Sequence, residues 1–136
     1  MKILFVCKHN RFRSKVAEVI ARKLDKTGRN EYKSAGVQLD LMRPYVAENV
    51  KKIMEEKGYE IKDEQAREIN EQDLRWADKI VIVADNVSPS IFKDKTGAEI
   101  EIWVFSDCDE KETRKIKGIV DGIEKRVKKL VSSTSE

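Results

Sequence analysis

Cysteine, histidine and proline are scarce in this 136-residue chain, which has two cysteines, one histidine and two prolines. These are too few for a Cys/His zinc site, which needs four ligands, and a small secreted disulfide scaffold uses more cysteines. A cytoplasmic location with at least one free thiol, Cys7 or Cys108, is therefore expected. Abundant Lys and Glu beside few Asn, Gln, Cys and Met favour a thermophilic source.

Long apolar runs and a large excess of one charge are also missing. The longest apolar run, residues 3–7, is far too short to span a bilayer. Charge returns at Lys8, before a signal-peptide core of adequate length could form. Basic residues exceed acidic ones by only 28 to 25, which gives a net charge of +3. No partnership with a membrane or with nucleic acid is expected.

Apolar periodicity predicts four strands that alternate with helices. The strands are predicted at residues 2–6, 32–35, 79–84 and 100–105. Helices are predicted at residues 14–24, from Pro44 to Gly58, at 70–76, briefly within 85–97, and finally as a long amphipathic helix that carries Ile116 and Leu130. A single domain is predicted over residues 1–131, followed by a frayed, disordered tail at 132–136.

Strands that alternate with helices build right-handed βαβ units. The predicted fold class is therefore α/β, a three-layer sandwich with a four-stranded parallel sheet. Such sheets bind ligands beyond the carboxyl ends of their strands. The loops after the four strands begin near Cys7, Gly36, Asp85 and Asp107, so we expect these residues to line one rim.

The segment between the first strand and the first helix has the pattern Cys, five residues, Arg, Ser. This spacing alone is a weak signal. Its placement is informative, because backbone N–H groups at a helix N-terminus are unpaired and the helix dipole attracts anions. The segment predicts a phosphate-binding loop, and its candidate binding residues are Lys8, His9, Asn10, Arg11, Phe12, Arg13 and Ser14.

The residue types in this loop fit nucleophilic catalysis. A thiol becomes a good nucleophile when it ionises, and the helix end and the neighbouring cations favour the thiolate of Cys7. The planar guanidinium of Arg13 can hold two phosphoryl oxygens and stabilise charge in the transition state. Ser14 can donate a hydrogen bond to the sulfur. The alternative is that Cys7 is a small buried residue at a strand end.

With these residues the sequence resembles the low-molecular-weight protein tyrosine phosphatase family, which also includes thioredoxin-coupled arsenate reductases. The shared features run in order along essentially the whole chain. They are the strand followed by the Cys-to-Arg-Ser loop, Asn10 within that loop, Ser34-Ala35-Gly36 after the second strand, the helical segment from Pro44, the Ala66-Arg67 pair, and Asp107 after the fourth strand.

The resemblance implies a two-step phosphatase mechanism without a metal or cofactor. Cys7 would attack phosphorus to form a thiophosphoryl-cysteine intermediate, with Arg13 as the clamp on the phosphoryl oxygens. Asp107 would protonate the leaving oxygen, and water would then hydrolyse the intermediate. The implied substrate is a phosphorylated protein or a small phosphomonoester, with inorganic phosphate as product. Asp107 could instead be a turn residue, and Asp109 is the competing acid.

The resemblance also implies which residues support the loop. Asn10 and Ser34 match positions whose hydrogen bonds hold the loop in shape. Gln65 stands where the family often has a loop-facing histidine, and its amide could serve the same bridging role. Each of the three could instead be an ordinary polar loop residue.

Four departures from the family pattern bear on function. His9 replaces a glycine, so that a Cβ restricts the loop backbone. An imidazole there could add titratable charge at the mouth, or His9 could be an ordinary solvent-exposed loop residue. Phe12 replaces a second loop cysteine. Cys108 replaces the proline after the acid, and Asp109 and Glu110 replace the aromatic residues that line the phosphotyrosine slot of eukaryotic members. The stretch after the third strand lacks the two further cysteines of the arsenate reductases.

Three functions are consistent with this sequence. The first is a cysteine-dependent phosphomonoester hydrolase of the protein tyrosine phosphatase type. The second is an arsenate reductase-like oxyanion reductase, in which Cys108 or an external thiol resolves the intermediate on Cys7. The third is a non-catalytic module that binds a phosphorylated ligand.

Overall fold

Strands and helices alternate through residues 1–134, which are the residues that the computed structural model describes. The strands are β1 (Lys2–Cys7), β2 (Glu31–Gly36), β3 (Lys79–Val83) and β4 (Glu99–Trp103). The α-helices are α1 (Arg13–Leu24), α2 (Glu48–Glu56), α3 (Glu71–Trp76) and α4 (Thr113–Thr134). The short helix predicted within residues 85–97 is a 3₁₀ turn, Pro89–Phe92.

All four strands are parallel, in the order β2-β1-β3-β4. The predicted four-stranded parallel sheet is therefore confirmed. The two central strands, β1 and β3, are almost entirely apolar and buried, as expected for strands that are covered on both faces. Cys7, the last residue of β1, pairs in register with Gly36, the last residue of β2.

Alternate residues of the central strands face two separate cores. One core packs Ile3, Phe5, Val81 and Val83 against α1, α2 and α4, and the other packs Leu4, Val6, Ile80 and Ile82 against α3 and the 3₁₀ turn. The sheet thus lies between two helical layers, as the sequence predicted.

The second helix begins later than predicted: it was expected from Pro44 and starts at Glu48. Residues 44–46 run extended beside residues 64–66, with two backbone hydrogen bonds of 2.8 and 3.1 Å and an antiparallel bridge. This pairing gives the backbone of residues 44–46 its hydrogen-bond partners without a helix.

The end of the chain also differs from the prediction. Helix α4 continues through Ser132 and Ser133 to Thr134, where a tail was expected. Ser133 Oγ donates to the Leu130 carbonyl at 3.0 Å, as serine often does within a helix. Residues 135 and 136 of the predicted tail lie outside the described residues. No helix within residues 1–134 is long and apolar enough to cross a membrane.

Candidate active site

The loops that follow β1 and β4 meet at a cavity of about 410 Å³. Among the residues predicted to form the site, those that line it are Cys7, His9, Arg11, Phe12, Arg13 and Asp107. Cys108 and Asp109 line the same cavity. The sheet-edge rule therefore brought the loops after β1 and β4 together. Gly36 and Asp85, which were expected on the same rim, do not line this cavity. Gly36 packs against the loop backbone instead, and the Asp85 carboxylate lies next to Arg13.

Backbone carbonyl groups of the loop bond to the surrounding chain. Three of them accept hydrogen bonds from the chain outside the loop: Cys7 O from Val37 N at 3.1 Å, Lys8 O from Gln38 N at 3.0 Å, and Arg11 O from Ala47 N at 3.3 Å. In a trans peptide the N–H points opposite to the C=O. The amides that follow these carbonyls therefore point away from the surrounding chain, which leaves them available as donors.

Gly36 lets β2 approach this loop closely. A Cβ at this position would lie 2.7 Å from the carbonyl carbon of His9 and 2.8 Å from the amide nitrogen of Asn10. Both are backbone atoms, so a side chain at residue 36 would displace the loop itself.

We expect Gly36→Ala to lower kcat/KM for p-nitrophenyl phosphate by about 100-fold, because small displacements of a catalytic site have effects of that size. Gly97→Ala is the matched control, since a Cβ at Gly97 meets no atom within 4 Å. Steady-state kinetics of both variants check this. Equal activities of the two variants would contradict the role given to Gly36.

Asn10 is the centre of the buried network behind the loop. It is fully buried and has a φ of +58°, a left-handed conformation that asparagine tolerates better than most residues. Its Nδ2 donates to Ser14 Oγ at 2.8 Å and to Ser34 Oγ at 3.0 Å, and its Oδ1 accepts from the Arg67 N–H at 3.1 Å. Ser34 in turn donates to the Glu18 carboxylate. These bonds fix the orientation of the Asn10 amide.

The hydroxyl of Ser14 lies 2.9 Å from the sulfur of Cys7. Because Ser14 accepts from Asn10, its single hydrogen is available to either the Cys7 sulfur or the Ala35 carbonyl, which is 3.3 Å away. When Cys7 is ionised, the hydrogen bond to the sulfur is the charge-assisted and therefore stronger one. Ser14 is thus placed to stabilise the thiolate.

Arg13 is 2% exposed and is held by groups from the ends of two strands. Its NH1 donates to the Phe105 carbonyl at 2.9 Å and its NH2 donates to Asn86 Oδ1 at 3.1 Å. The carboxylates of Asp85 and Asp107 lie 3.5 and 3.8 Å from these nitrogens. Nε of Arg13 makes no hydrogen bond within residues 1–134, so that donor is open to a ligand oxygen.

Cys108 is half-buried beside Asp107 and packs against the main core. Burial chiefly, and then the negative charges of Asp107 and Glu112, raise the pKa of the Cys108 thiol. The surroundings of the two cysteines on the cavity differ: the Cys7 sulfur lies beside the Ser14 hydroxyl, and Cys108 lies beside carboxylates.

Comparison with known proteins agrees with this architecture. Residues 2–136 match the family described as low molecular weight phosphotyrosine protein phosphatase. The chain belongs to this family.

Solved structures and relatives include both phosphatases and arsenate reductases. An arsenate reductase from Archaeoglobus fulgidus is 31% identical, with a TM-score of 0.74 over 96% of this chain and 98% of that one. A low molecular weight protein tyrosine phosphatase from T. tengcongensis is 24% identical, with a TM-score of 0.80 over 98% and 99%, and shows the shared fold. A Halobacterium salinarum protein, whose name proposes arsenate reductase activity, is 28% identical over 93% of this chain and 87% of its own length.

His9 does not strain the phosphatase-family loop. The left-handed residue of the loop is Asn10; in the described residues, Asp94 is the one other non-glycine residue with positive φ. The ring of His9 donates through Nδ1 to the Gln38 carbonyl at 2.7 Å, because a carbonyl can only accept. The imidazole therefore braces the loop against the chain that follows β2.

The amide of Gln65 does not bridge to the loop as the family resemblance implied. Gln65 is exposed, and its side chain makes no hydrogen bond within residues 1–134. Its backbone carbonyl instead accepts from Nζ of Lys15, a buried lysine in the first turn of α1, at 3.1 Å. The bridge from this segment to Asn10 is the backbone N–H of Arg67.

Several residues of this phosphatase-family site were missed from the sequence. Asn86 directly follows Asp85 at the end of β3, so the sheet-edge rule could have found it. Glu18 lies one helical turn beyond Ser14 on α1, a spacing that places both on one face. Arg67 carried no signal beyond its part in the resemblance, since its contact with Asn10 is made by the backbone.

Proposed function

We propose that the protein is a cysteine-dependent phosphomonoester hydrolase, with Cys7 as nucleophile, Arg13 as the clamp on the phosphoryl group and Asp107 as general acid. The observation that carries this proposal is the position of Asp107. Its carboxylate lies 3.8 Å from NH2 of Arg13, on the cavity that Cys7 also lines. Nucleophile, cation and acid therefore meet around a space that a phosphoryl group would fill.

The first chemical step follows from this arrangement. The Cys7 thiolate attacks phosphorus, and the backbone amides of the loop together with Arg13 stabilise the charge on the phosphoryl oxygens. Asp107 gives a proton to the oxygen that leaves. The result is a thiophosphoryl-cysteine and a free alcohol or phenol.

The second step uses the same groups in reverse. The ionised Asp107 takes a proton from water, and that water attacks the phosphorus. The bond to Cys7 breaks, inorganic phosphate leaves, and the sulfur returns to a thiolate that Ser14 stabilises. Neither step uses an oxidant or a reductant.

Substitution of the acid tests this function. Asp107→Asn should lower kcat for phenyl phosphate by roughly 10²-fold, the usual contribution of a positioned acid. The loss for p-nitrophenyl phosphate should be smaller, since nitrophenolate departs easily without a proton. A leaving-group series with wild type and variant measures this change of slope.

Asp109→Asn is the matched control, because Asp109 lies on the same loop and lines the same cavity. Its carboxylate accepts from the Lys111 N–H at 2.8 Å, within its own turn. The slope for Asp109→Asn should equal that of wild type. Equal losses across the series for Asp107→Asn, or a steeper slope for Asp109→Asn, would mean that Asp107 is not the general acid.

A second candidate function is arsenate reduction, and the position of Cys108 on the Cys7 cavity favours it. Cys7 would attack arsenic and release water to give a cysteine–arsenate adduct. Cys108 would then attack the Cys7 sulfur, which forms a disulfide and expels arsenite, so that two electrons pass from the thiols to arsenic. An external dithiol must reduce that disulfide. The raised pKa of Cys108 works against this route, because the thiolate is the attacking form.

Reductant dependence distinguishes the candidates. A phosphatase releases phosphate in the absence of thiols, and an arsenate reductase oxidises one dithiol for each arsenite formed. Arsenate loss that requires dithiol, without hydrolysis of p-nitrophenyl phosphate, would favour the second function. Phosphate binding without either turnover would favour a module that only binds phosphorylated ligands.

A further inference from the structure

The carboxylate of Glu110 lies between two guanidinium groups at the mouth of the cavity. NH2 of Arg11 is 3.0 Å from Glu110 Oε2, and NH1 of Arg43 is 3.5 Å from Oε1. All three residues line the cavity that contains Cys7. One acidic side chain of the protein thus occupies a place where two arginines converge next to the phosphate-binding loop.

The two arginines are held by other parts of the chain as well. Nε of Arg11 donates to the Tyr45 carbonyl at 2.9 Å, and Nε of Arg43 donates to Asp40 Oδ2 at 3.2 Å. Both guanidinium groups would therefore keep their positions if the Glu110 carboxylate moved away.

The backbone at Glu110 is anchored separately from its side chain. Nδ2 of Asn49 donates to the Glu110 carbonyl at 2.6 Å. The Glu110 side chain is 39% exposed and that of Arg43 is 49% exposed. The carboxylate can consequently turn into solvent while the loop that carries Asp107 stays in place.

Space for a ligand continues beyond the ion pairs that Glu110 makes with Arg11 and Arg43. A second cavity of about 280 Å³ shares Arg11, Arg43, Glu110 and Lys111 with the first. Glu110 therefore stands between the phosphate-binding loop and a neighbouring groove. A leaving group that extends from the loop toward this groove would pass the two guanidinium groups.

We propose that Arg11 and Arg43 form a subsite for a carboxylate on the leaving group of the substrate, and that Glu110 occupies this subsite in the free enzyme. The proposal rests on the proposed phosphatase function and specifies its substrates as phosphomonoesters that carry a carboxylate near the ester oxygen. An acidic residue beside a phosphorylated side chain and a small acidic ester both have this chemistry. Paired guanidinium groups recognise carboxylates through charge-assisted hydrogen bonds.

The expected preference is modest in wild type because the ligand must displace Glu110, and exposed ion pairs are weak. Removal of the competing charge should enlarge it, and loss of Arg43 should abolish it. Glu110 thus lowers the preference for a carboxylate and Arg43 raises it, so substitutions at the two positions should change it in opposite directions.

Calorimetric binding of non-hydrolysable arylphosphonates tests the subsite without turnover. The ligands are 3-carboxyphenylphosphonate and its neutral match, 3-carbamoylphenylphosphonate. We expect the carboxylate to bind wild type about three- to tenfold more tightly, and Glu110→Gln to raise this ratio about threefold further. Arg43→Gln should bring the ratio close to one. Arg75→Gln is the control, since Arg75 pairs with Glu71 at an exposed position of α3 and should leave the ratio unchanged.

Two further ligand sets complete the design. The same comparison with phosphotyrosyl peptides that carry Glu or Gln beside the phosphotyrosine distinguishes a peptide carboxylate from that of a small ester. A 3-aminomethyl analogue tests the opposite sign of charge, because Asp107 and Asp109 also line the cavity.

Several results would overturn the subsite. One is that the carboxyphenyl and carbamoylphenyl ligands bind with equal affinity to wild type and to Glu110→Gln. Others are tighter binding of the aminomethyl analogue or an unchanged affinity ratio in Arg43→Gln. The last is that neither phosphonate binds. Turnover of simple aryl phosphates without a carboxylate preference would leave the phosphatase function standing and remove the subsite. A carboxylate preference in binding without any turnover would support the subsite and contradict the phosphatase function.

Discussion

Cys7→Ser is expected to lower the turnover of p-nitrophenyl phosphate by roughly 10⁴-fold or more, equivalent to ~5.5 kcal/mol of barrier. A serine hydroxyl is a far weaker acid than a thiol, and the hydrogen-bond partner that residues 1–134 give the Cys7 sulfur is the Ser14 hydroxyl, which is not a general base. Its oxygen would still accept the hydrogen bond that Ser14 gives to the sulfur. The substitution therefore removes the nucleophile and leaves the loop intact, which rate measurements on purified variants can check.

Two controls separate loss of chemistry from loss of the site. Cys7→Ser should still bind inorganic phosphate in a calorimetric titration, since the loop amides and Arg13 are unchanged. Cys108→Ser should retain most phosphatase turnover, because Cys108 takes part in neither step of the proposed hydrolysis. Substantial activity in Cys7→Ser would show that another group attacks the phosphorus.

Arg13→Lys is expected to lower kcat/KM by roughly 10³-fold, or ~4 kcal/mol, although the positive charge is kept. The guanidinium has enough donors to bond the Phe105 carbonyl and Asn86 while still offering N–H groups to a phosphoryl oxygen. An ammonium on a shorter, flexible stem cannot meet all of these partners in one plane. The loss should appear mainly in kcat, since the clamp acts most strongly on the charge of the transition state.

Arg22→Lys is the matched control for this substitution. Arg22 also lies on α1 and also holds a backbone carbonyl, that of Tyr32, through two of its nitrogens. It does not line the Cys7 cavity. A urea unfolding curve of each variant shows whether the fold is retained. A loss below about tenfold for Arg13→Lys, which is ~1.4 kcal/mol, would mean that Arg13 is not the clamp.

The parts of the site that follow strand ends could be predicted from sequence. The apolar runs predicted ends at residue 6 for β1 and residue 105 for β4, close to the observed Cys7 and Trp103. Parallel strands bring their carboxyl ends to one edge. Cys7 and Asp107 could therefore be placed on a common cavity, although many residues separate them. The start of α2 was wrong because the pairing of residues 44–46 with 64–66 depends on two loops that carry no periodic pattern.

The support behind the loop was only partly predictable. The family resemblance implied that Asn10 and Ser34 support the loop through hydrogen bonds, and Nδ2 of Asn10 donates to Ser34 Oγ. The partner of Asn10 Oδ1 is a backbone N–H 57 residues away, at Arg67, and a backbone group has no signature in a sequence. Gln65 matches a loop-facing histidine of the family only in its position along the chain, and its side chain is exposed to solvent.

The bonded carbonyl groups of the phosphate-binding loop also decide when the loop loses its conformational freedom. Val37, Gln38 and Ala47 bond these carbonyls from within the folded chain itself. The entropy of ordering residues 7–12 is thus lost during folding, where the burial of the whole core can offset it. An anion that arrives later meets donors that are already aligned, and its binding free energy is not reduced by a further ordering of the backbone.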